Sequence, residues 1–177
     1  PAHIRPFREW ADIDLASMSF GHAVAIPPIQ LIAAIGTIAN QGKLVKPHLV
    51  DKIIYPTGAV SIDPQVVQVV FKPQTAQLIS AMMVNAIEKG HGKNAGVSGY
   101  RIAGKTGTAQ IASPSGYEDG VTIGTFVGFA PVENPRFVMM TKIDRPKGTA
   151  FAETSAAPLF VEIAKFLLNY WQVPPTR

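Results

Sequence analysis

Lys105 lies in two overlapping patterns. Residues 99–106 read G-x-x-x-x-G-K-T, the spacing of a phosphate-binding loop, and residues 105–108 read K-T-G-T. In the first chemistry, backbone N–H groups and a helix N-terminus cradle phosphates while the lysine reaches their outer oxygens. That arrangement needs a buried strand before Gly99 and a helix opening at Lys105. The preceding "HGKNAGVS" is a poor strand. After Lys105, Gly107 weakens a helix, and Thr106, Thr108 and Ile111 favour a strand. "VMMTKID" imitates the aspartate-terminated strand of a nucleotide site, but Lys142 interrupts it and no βαβ alternation surrounds it. The eight-letter match is therefore read as accidental. In the second chemistry all four residues lie on a strand. Lys105 can offer fixed positive charge to an anionic substrate, and the Thr106 and Thr108 hydroxyls can hydrogen-bond a carboxylate. Gly107 removes a side chain where a bound peptide must lie against the strand. A backbone N–H at the strand edge can face a developing oxyanion.

The elements that would position this strand can be read from periodicity. Residues 1–26 read as irregular. Pro27-Pro28 can open a helix, which Ile29, Ile32, Ala33, Ile35 and Ala39 continue and Gly42 caps. "KPHLVDKIIYP" reads as a strand, "TG" as a turn, "AVSI" as the returning strand and "VVQVVF" as a further short one. In "KPQTAQLISAMMVNAIEKG", Leu78, Ile79, Met82, Met83, Ala86 and Ile87 fall on one helical face, with both methionines read as core. Next come the glycine-rich "HGKNAGVSGY" and three strands, "RIAGKTGTAQIA", "TIGTFVGFAP" and "RFVMMTKID". The turn-rich "SPSGYEDG" joins the first two. Asn134-Pro135 gives the tight connection that predicts antiparallel pairing of the last two. A helix over about residues 157–171 closes the chain, with Leu159, Phe160, Ile163, Phe166, Leu167 and Tyr170 as its apolar face. This order is that of an α+β domain, an antiparallel sheet flanked by helices.

Composition excludes several other functions. Of 177 residues, 47% are hydrophobic and 16% charged, enough for a core and too apolar for disorder. The net charge of +4 is spread along the chain, and Asp144 interrupts the closest basic group, Lys142, Arg145 and Lys147, so nucleic acid is not an expected partner. Cysteine is absent and the four histidines stand far apart, so no metal site is expected. No stretch approaches the roughly 20 apolar residues of a membrane helix. A chain that opens on Pro1 without a signal pattern reads as a processed or excised piece.

The K-T-G triplet is one signature of serine β-lactamases and penicillin-binding proteins, and its surroundings extend the likeness. "MSFGHAVAIPPIQLIAAIGTIANQGKLVKPHLV", "GYRIAGKTGTAQ", "TFVGFAPVENPRFVMMTKIDRP" and "SAAPLFVEIAKFLLNYWQVPP" resemble, in order, successive passages of a class B penicillin-binding protein. The resemblance covers nearly all of the chain. It implies a β-lactamase/transpeptidase-like fold, of which residues 1–177 would be the C-terminal portion of the transpeptidase domain.

The same resemblance implies an acyl-serine transferase that attacks the D-alanyl-D-alanine end of a peptidoglycan stem peptide, passes the acyl group to an amine, and is acylated by β-lactams. Lys105 would be catalytic and the Thr108 N–H half of the oxyanion hole, with Thr106, Gly107 and Thr108 binding substrate. Gly104 would serve close packing. No cofactor or metal is implied. The partners implied are the upstream half of the same domain, stem peptides and β-lactams, with a membrane glycosyltransferase and division or elongation proteins as further ones. The place implied is the extracytoplasmic face of the bacterial cell membrane, with the anchor upstream. No serine of this chain begins S-x-x-K or S-x-N. Since acyl transfer needs an activated nucleophile, the nucleophile is expected outside these 177 residues and the chain alone is expected to be inactive. Two other readings share the fold: a scaffold or sensor that lost catalysis, and a serine β-lactamase.

Overall fold

A computed structural model describes residues 6–22, 24–114 and 116–177. The first element was not expected. Within the segment read as irregular, helix α1 spans Asp12–Met18. The Asp14 carboxylate reaches back to accept the Ala11 N–H at 2.8 Å, and Asp12 and Asp14 place negative charge in the first turn, where the helix dipole favours it. This capping signal was present in the sequence but lies outside the apolar periodicity.

Helix α2, Pro28–Ala39, begins at the proline pair as expected. Its cap is Asn40 rather than the expected Gly42. Gln41 is the first left-handed residue, and Gly42 follows at φ +88°, where a Cβ would lie 2.0 Å from the Phe71 carbonyl oxygen. Strand β1 (Lys43–Val45) follows, then β2 (Lys52–Tyr55), β3 (Gly58–Ser61) and β4 (Val66–Val69). Antiparallel pairs form between β1 and β4 and between β2 and β3. The strand expected over "KPHLVDKIIYP" is therefore shorter, confined to its second half. Pro47 has no N–H to give to a ladder.

Helix α3 is Pro73–Glu88. After a 3-10 turn at Lys93–Ala95, the main sheet is built from β5 (Ala103–Ser113), β6 (Gly116–Ala130) and β7 (Phe137–Asp144), in that spatial order and antiparallel throughout. The connection at Asn134-Pro135 returns the chain as expected, with Ala130 paired to Phe137. The turn-rich reading of "SPSGYEDG" is corrected. β5 and β6 run on past it, pairing Ala112 with Tyr117 and Ser113 with Gly116; Ser115 lies outside the described residues. The overhanging end is tied to the end of β7, where the Arg145 guanidinium bonds both Glu118 oxygens, one at 2.6 Å. That hydrogen bond is the main cause holding the Glu118 carboxyl below its usual range.

Helix α4, Ala156–Tyr170, covers one face of the sheet. Phe126 of β6 meets Phe160 at 4.6 Å between ring centroids, and Thr141 of β7 donates to the Ala156 carbonyl at 2.8 Å. Residues directly opposite in the ladders share a face, so Gly104, Thr106, Thr108, Gly124 and Gly128 point to this side too. On the other face, Ala103 and Phe129 pack with Val84 of α3 and with Ile35 and Ile38 of α2.

Both expected helix faces need correction. In α4, Phe160 is buried and Leu167 half-buried as expected, but Leu159, Ile163, Phe166 and Tyr170 are exposed. The buried stripe is Ala157, Phe160, Val161, Ala164 and Leu168. In α3, Ile87 is buried, yet Leu78 and Met82 are about 60% exposed, and Ala76, Ser80 and Val84 face inward. The reading of Met82 as core is thus overturned. Each helix carries two apolar stripes, and the one with the smaller side chains faces inward because alanine and serine let a helix axis approach its neighbours closely.

Candidate active site

The K-T-G-T residues lie on β5, which has no strand on its outer side among the described residues. A nucleotide site is excluded by this placement. Lys105 sits inside an extended strand that runs to Ser113 and opens no helix, and Gly99 lies in the turn enclosed by an isolated bridge between Val97 and Tyr100. ATP and GTP at millimolar concentration are accordingly expected to give no saturable binding and no thermal shift. A micromolar phosphate-dependent dissociation constant abolished by Lys105→Ala would overturn this.

Lys105 and Gly107 share the face opposite α4, while Thr106 and Thr108 share the α4 face. The Lys105 side chain is exposed, and its Nζ donates to the Thr106 carbonyl at 2.9 Å. A pocket of about 150 Å³ opens beside it, between Gly90, His91 and Gly92 on one side and Gly104, Lys105 and Thr106 on the other. Gly104 serves packing, as expected, since a Cβ would lie 2.4 Å from the Phe126 ring. For Gly107 the structure adds a reason that strand chemistry did not supply. A Cβ there would lie 2.6 Å from the hydroxyl of its cross-strand partner Thr125, which donates to the Gly107 carbonyl at 3.2 Å. That carbonyl is thus turned toward β6. Successive residues of an antiparallel strand turn their peptide groups to opposite edges, so the Thr108 N–H faces the open edge.

Thr108 makes a contact that no local pattern announces. Its Oγ1 accepts the Ala152 N–H at 3.1 Å across 44 residues of sequence. The loop carrying Ala152 crosses close above β6, where a Cβ on Gly124 would lie 3.2 Å from the Ala152 Cα and 2.6 Å from the Ser155 Oγ. The Phe151 ring on this loop is exposed, and Glu153 lies 3.9 Å from His91, which lines the small pocket. Phe151, Ala152, Glu153 and His91 were not singled out as site residues from sequence. The signal for the first three was the hydroxyl-rich run between the last strand and the last helix, and His91 lies in the glycine-rich segment before β5. The Ser155 hydroxyl is engaged with the Phe151 carbonyl at 2.9 Å, with no base beside it, and does not serve as an activated nucleophile.

A larger apolar cleft of about 660 Å³ lies away from this site, between α2 and the β1–β4 ribbon. It holds no group suited to acyl transfer.

The arrangement is shared with known proteins. The family description "Penicillin binding protein transpeptidase domain" matches residues 4–165. Penicillin-binding protein PbpB of Mycolicibacterium smegmatis is 35% identical over 96% of this chain, which spans 28% of that protein. The probable peptidoglycan D,D-transpeptidase PenA of Neisseria flavescens is 32% identical over 98% of the chain, which spans 42% of it. Among solved structures, penicillin-binding protein 3 of Mycobacterium tuberculosis complexed with aztreonam superposes with a TM-score of 0.88 at 32% identity, covering 99% of this chain and 42% of that one. With an antiparallel sheet between helices and a K-T-G-T strand at its open edge, the chain belongs to the penicillin-binding protein transpeptidase domain family.

Proposed function

We propose that this chain is one wall of the active-site cleft of a peptidoglycan D,D-transpeptidase. The observation that carries the reading is the open-edged β5, which presents the Lys105 ammonium, the Thr106 and Thr108 hydroxyls and the outward Thr108 N–H along one short stretch. A serine outside these 177 residues attacks the carbonyl carbon of the penultimate D-alanine and gives its proton to a neighbouring base. The Thr108 N–H donates to the oxygen that becomes negative, and the Lys105 charge favours that state. Collapse expels the terminal D-alanine, whose amine takes up the proton. An amine of a second stem peptide then displaces the serine. A β-lactam enters the same path, but its leaving amine stays tethered by the opened ring. The retained K-T-G-T disfavours an inactive scaffold.

The proposed setting is extracytoplasmic. The partners are the remainder of the transpeptidase domain, peptidoglycan stem peptides and β-lactams, together with a membrane glycosyltransferase and division or elongation proteins.

The test is covalent labelling. The 177-residue chain alone is expected to form no adduct with a labelled penicillin and to aggregate, because the apolar outer stripes of α3 and α4 lie open. In the intact domain, mass spectrometry is expected to find the penicilloyl group on a serine outside this chain. An adduct on any serine within residues 1–177 would show that the site is misplaced.

Gly107→Val in the intact domain would push a branched side chain into the Thr125 hydroxyl and out over the face along which a peptide must lie. Acylation by penicillin is expected to fall at least about tenfold, or ~1.4 kcal/mol. The fold should persist, since valine suits a strand and the Thr125 side chain can rotate away. Unchanged acylation kinetics would show that Gly107 does not face the ligand.

A further inference from the structure

The loop between β7 and α4 is bonded within itself and to four separate elements. Internally, the Thr149 and Thr154 hydroxyls contact each other, the Phe151 N–H donates to Thr149 Oγ1 at 3.3 Å, and the Thr154 and Ser155 hydroxyls both donate to the Phe151 carbonyl. The Ala152 carbonyl accepts the Ala157 N–H at 2.9 Å, joining the loop to α4. Outward, Thr122 of β6 donates to the Ala150 carbonyl at 2.7 Å. Asn94, in the turn before β5, donates from Nδ2 to the Glu153 carbonyl at 3.0 Å, across 59 residues of sequence. Between these two anchors sits Ala152, fully buried, giving its N–H to Thr108 Oγ1.

This last bond bears on what the Thr108 hydroxyl can do. A threonine hydroxyl has one proton and two lone pairs. Left alone it rotates, and it is as ready to accept as to donate. With the Ala152 N–H held against one lone pair, the proton is kept off that direction and turned toward the exposed side of Thr108. An oriented hydroxyl donor suits an anionic group and needs no reorganisation when that group arrives. The orientation depends on the Ala152 N–H staying in place, and beyond Ala152 this flank of the loop is tied by Asn94 at the Glu153 carbonyl, alongside His91 3.9 Å from the Glu153 carboxylate and the Ala157 N–H on the Ala152 carbonyl.

We propose that Asn94 is a positioning residue for the Thr108 hydroxyl. By holding the Glu153 carbonyl it fixes the Ala152 N–H on Thr108 Oγ1 and so turns the Thr108 proton toward the carboxylate of the acyl donor. Asn94 itself touches no substrate. The proposal rests on the transpeptidase reading above.

The test compares a penicillin with its methyl ester in the intact domain, reading the second-order acylation constant for each. The ratio of acid to ester measures how far the enzyme uses the carboxylate. Asn94→Leu keeps a branched side chain of similar size and removes the donor, and Asn94→Asp removes the donor with almost no change of shape. Asn94 is exposed, and aspartate suits a turn as asparagine does, so folding is expected to hold, with melting temperature as the check for both variants. The expected result is a five- to tenfold fall in the ratio for both variants, with the ester constant unchanged. Thr108→Val should lower the ratio at least as far, and the double variant Asn94→Leu/Thr108→Val no further than Thr108→Val alone, as for two members of one chain of contacts. A ratio unchanged by both Asn94 variants, an equal loss for acid and ester, or losses that multiply in the double variant would each overturn the proposal. Failure of the unaltered domain to react with either compound would overturn the transpeptidase reading itself, and the proposal with it.

Discussion

In a transpeptidase domain containing this chain, Lys105→Ala is expected to slow acylation by penicillin at least about a hundredfold, or ~2.7 kcal/mol of transition-state stabilisation. Stability should hardly move. The Lys105 side chain is exposed and its recorded bond is to the carbonyl of its own neighbour, Thr106. Exposed substitutions of that kind fall within about 0.5 kcal/mol, or ~2 °C in melting temperature. That pair of outcomes would assign the charge to the cleft, beside the pocket that Gly90 and His91 border. Lys105→Arg should fall between the two, since it keeps the charge but replaces a compact ammonium with a broad planar group. Stopped-flow acylation with a fluorescent penicillin reads the effect. A loss of less than about threefold for Lys105→Ala would remove the residue from the chemistry, and a melting temperature lowered by more than ~5 °C would assign it to the fold instead.

The second large effect concerns the layer that holds β5 in place. Phe160→Ala is expected to destabilise the domain by about 3–5 kcal/mol, the range for emptying a packed phenylalanine site. Phe160 is fully buried, against Phe126 at 4.6 Å and Phe137 at 6.3 Å between ring centroids. Phe126 in turn fills the space that Gly104 leaves one residue before Lys105. The cavity would thus lie directly under the catalytic strand, and acylation should weaken along with stability. Lys165→Ala, on the exposed side of the same helix, should stay within about 0.5 kcal/mol. Urea unfolding midpoints of the two variants decide the matter. A cost below about 1 kcal/mol for Phe160→Ala would show that α4 is not clamped to the sheet through this ring.

Elements with a strong local signal were legible before the structure. α2 starts at its proline pair and ends three residues before Gly42, a position where only glycine fits. β5, β6 and β7 follow from β-branched and aromatic runs, and Asn134-Pro135 set their antiparallel return. Helix α1 was missed because its signal is a single carboxylate reaching back to a backbone N–H, which leaves no periodicity. The inward faces of α3 and α4 were read from apolar periodicity, and the structure turns them so that Leu78, Met82, Leu159, Ile163, Phe166 and Tyr170 are exposed while Ile87 and Phe160 stay buried. A sequence shows which stripes are apolar, but which of two apolar stripes turns inward depends on how closely the helix meets its neighbours.

For the site, sequence alone gave the K-T-G-T residue types at Lys105, Thr106, Gly107 and Thr108, their place on a strand, and the chain's lack of an S-x-x-K or S-x-N serine. Those are properties of residue type and of spacing within one strand, where each residue's neighbours are its neighbours in sequence. The tertiary structure decided that Gly107 lies against Thr125, that the Thr108 N–H faces an open edge, that the Ala152 N–H meets the Thr108 hydroxyl, and that Asn94 meets the Glu153 carbonyl. The partners in those contacts stand 18, 44 and 59 residues apart. Backbone N–H and C=O groups make most of these contacts, and every residue type but proline carries both. Only the folded path of the chain determines which of them meet.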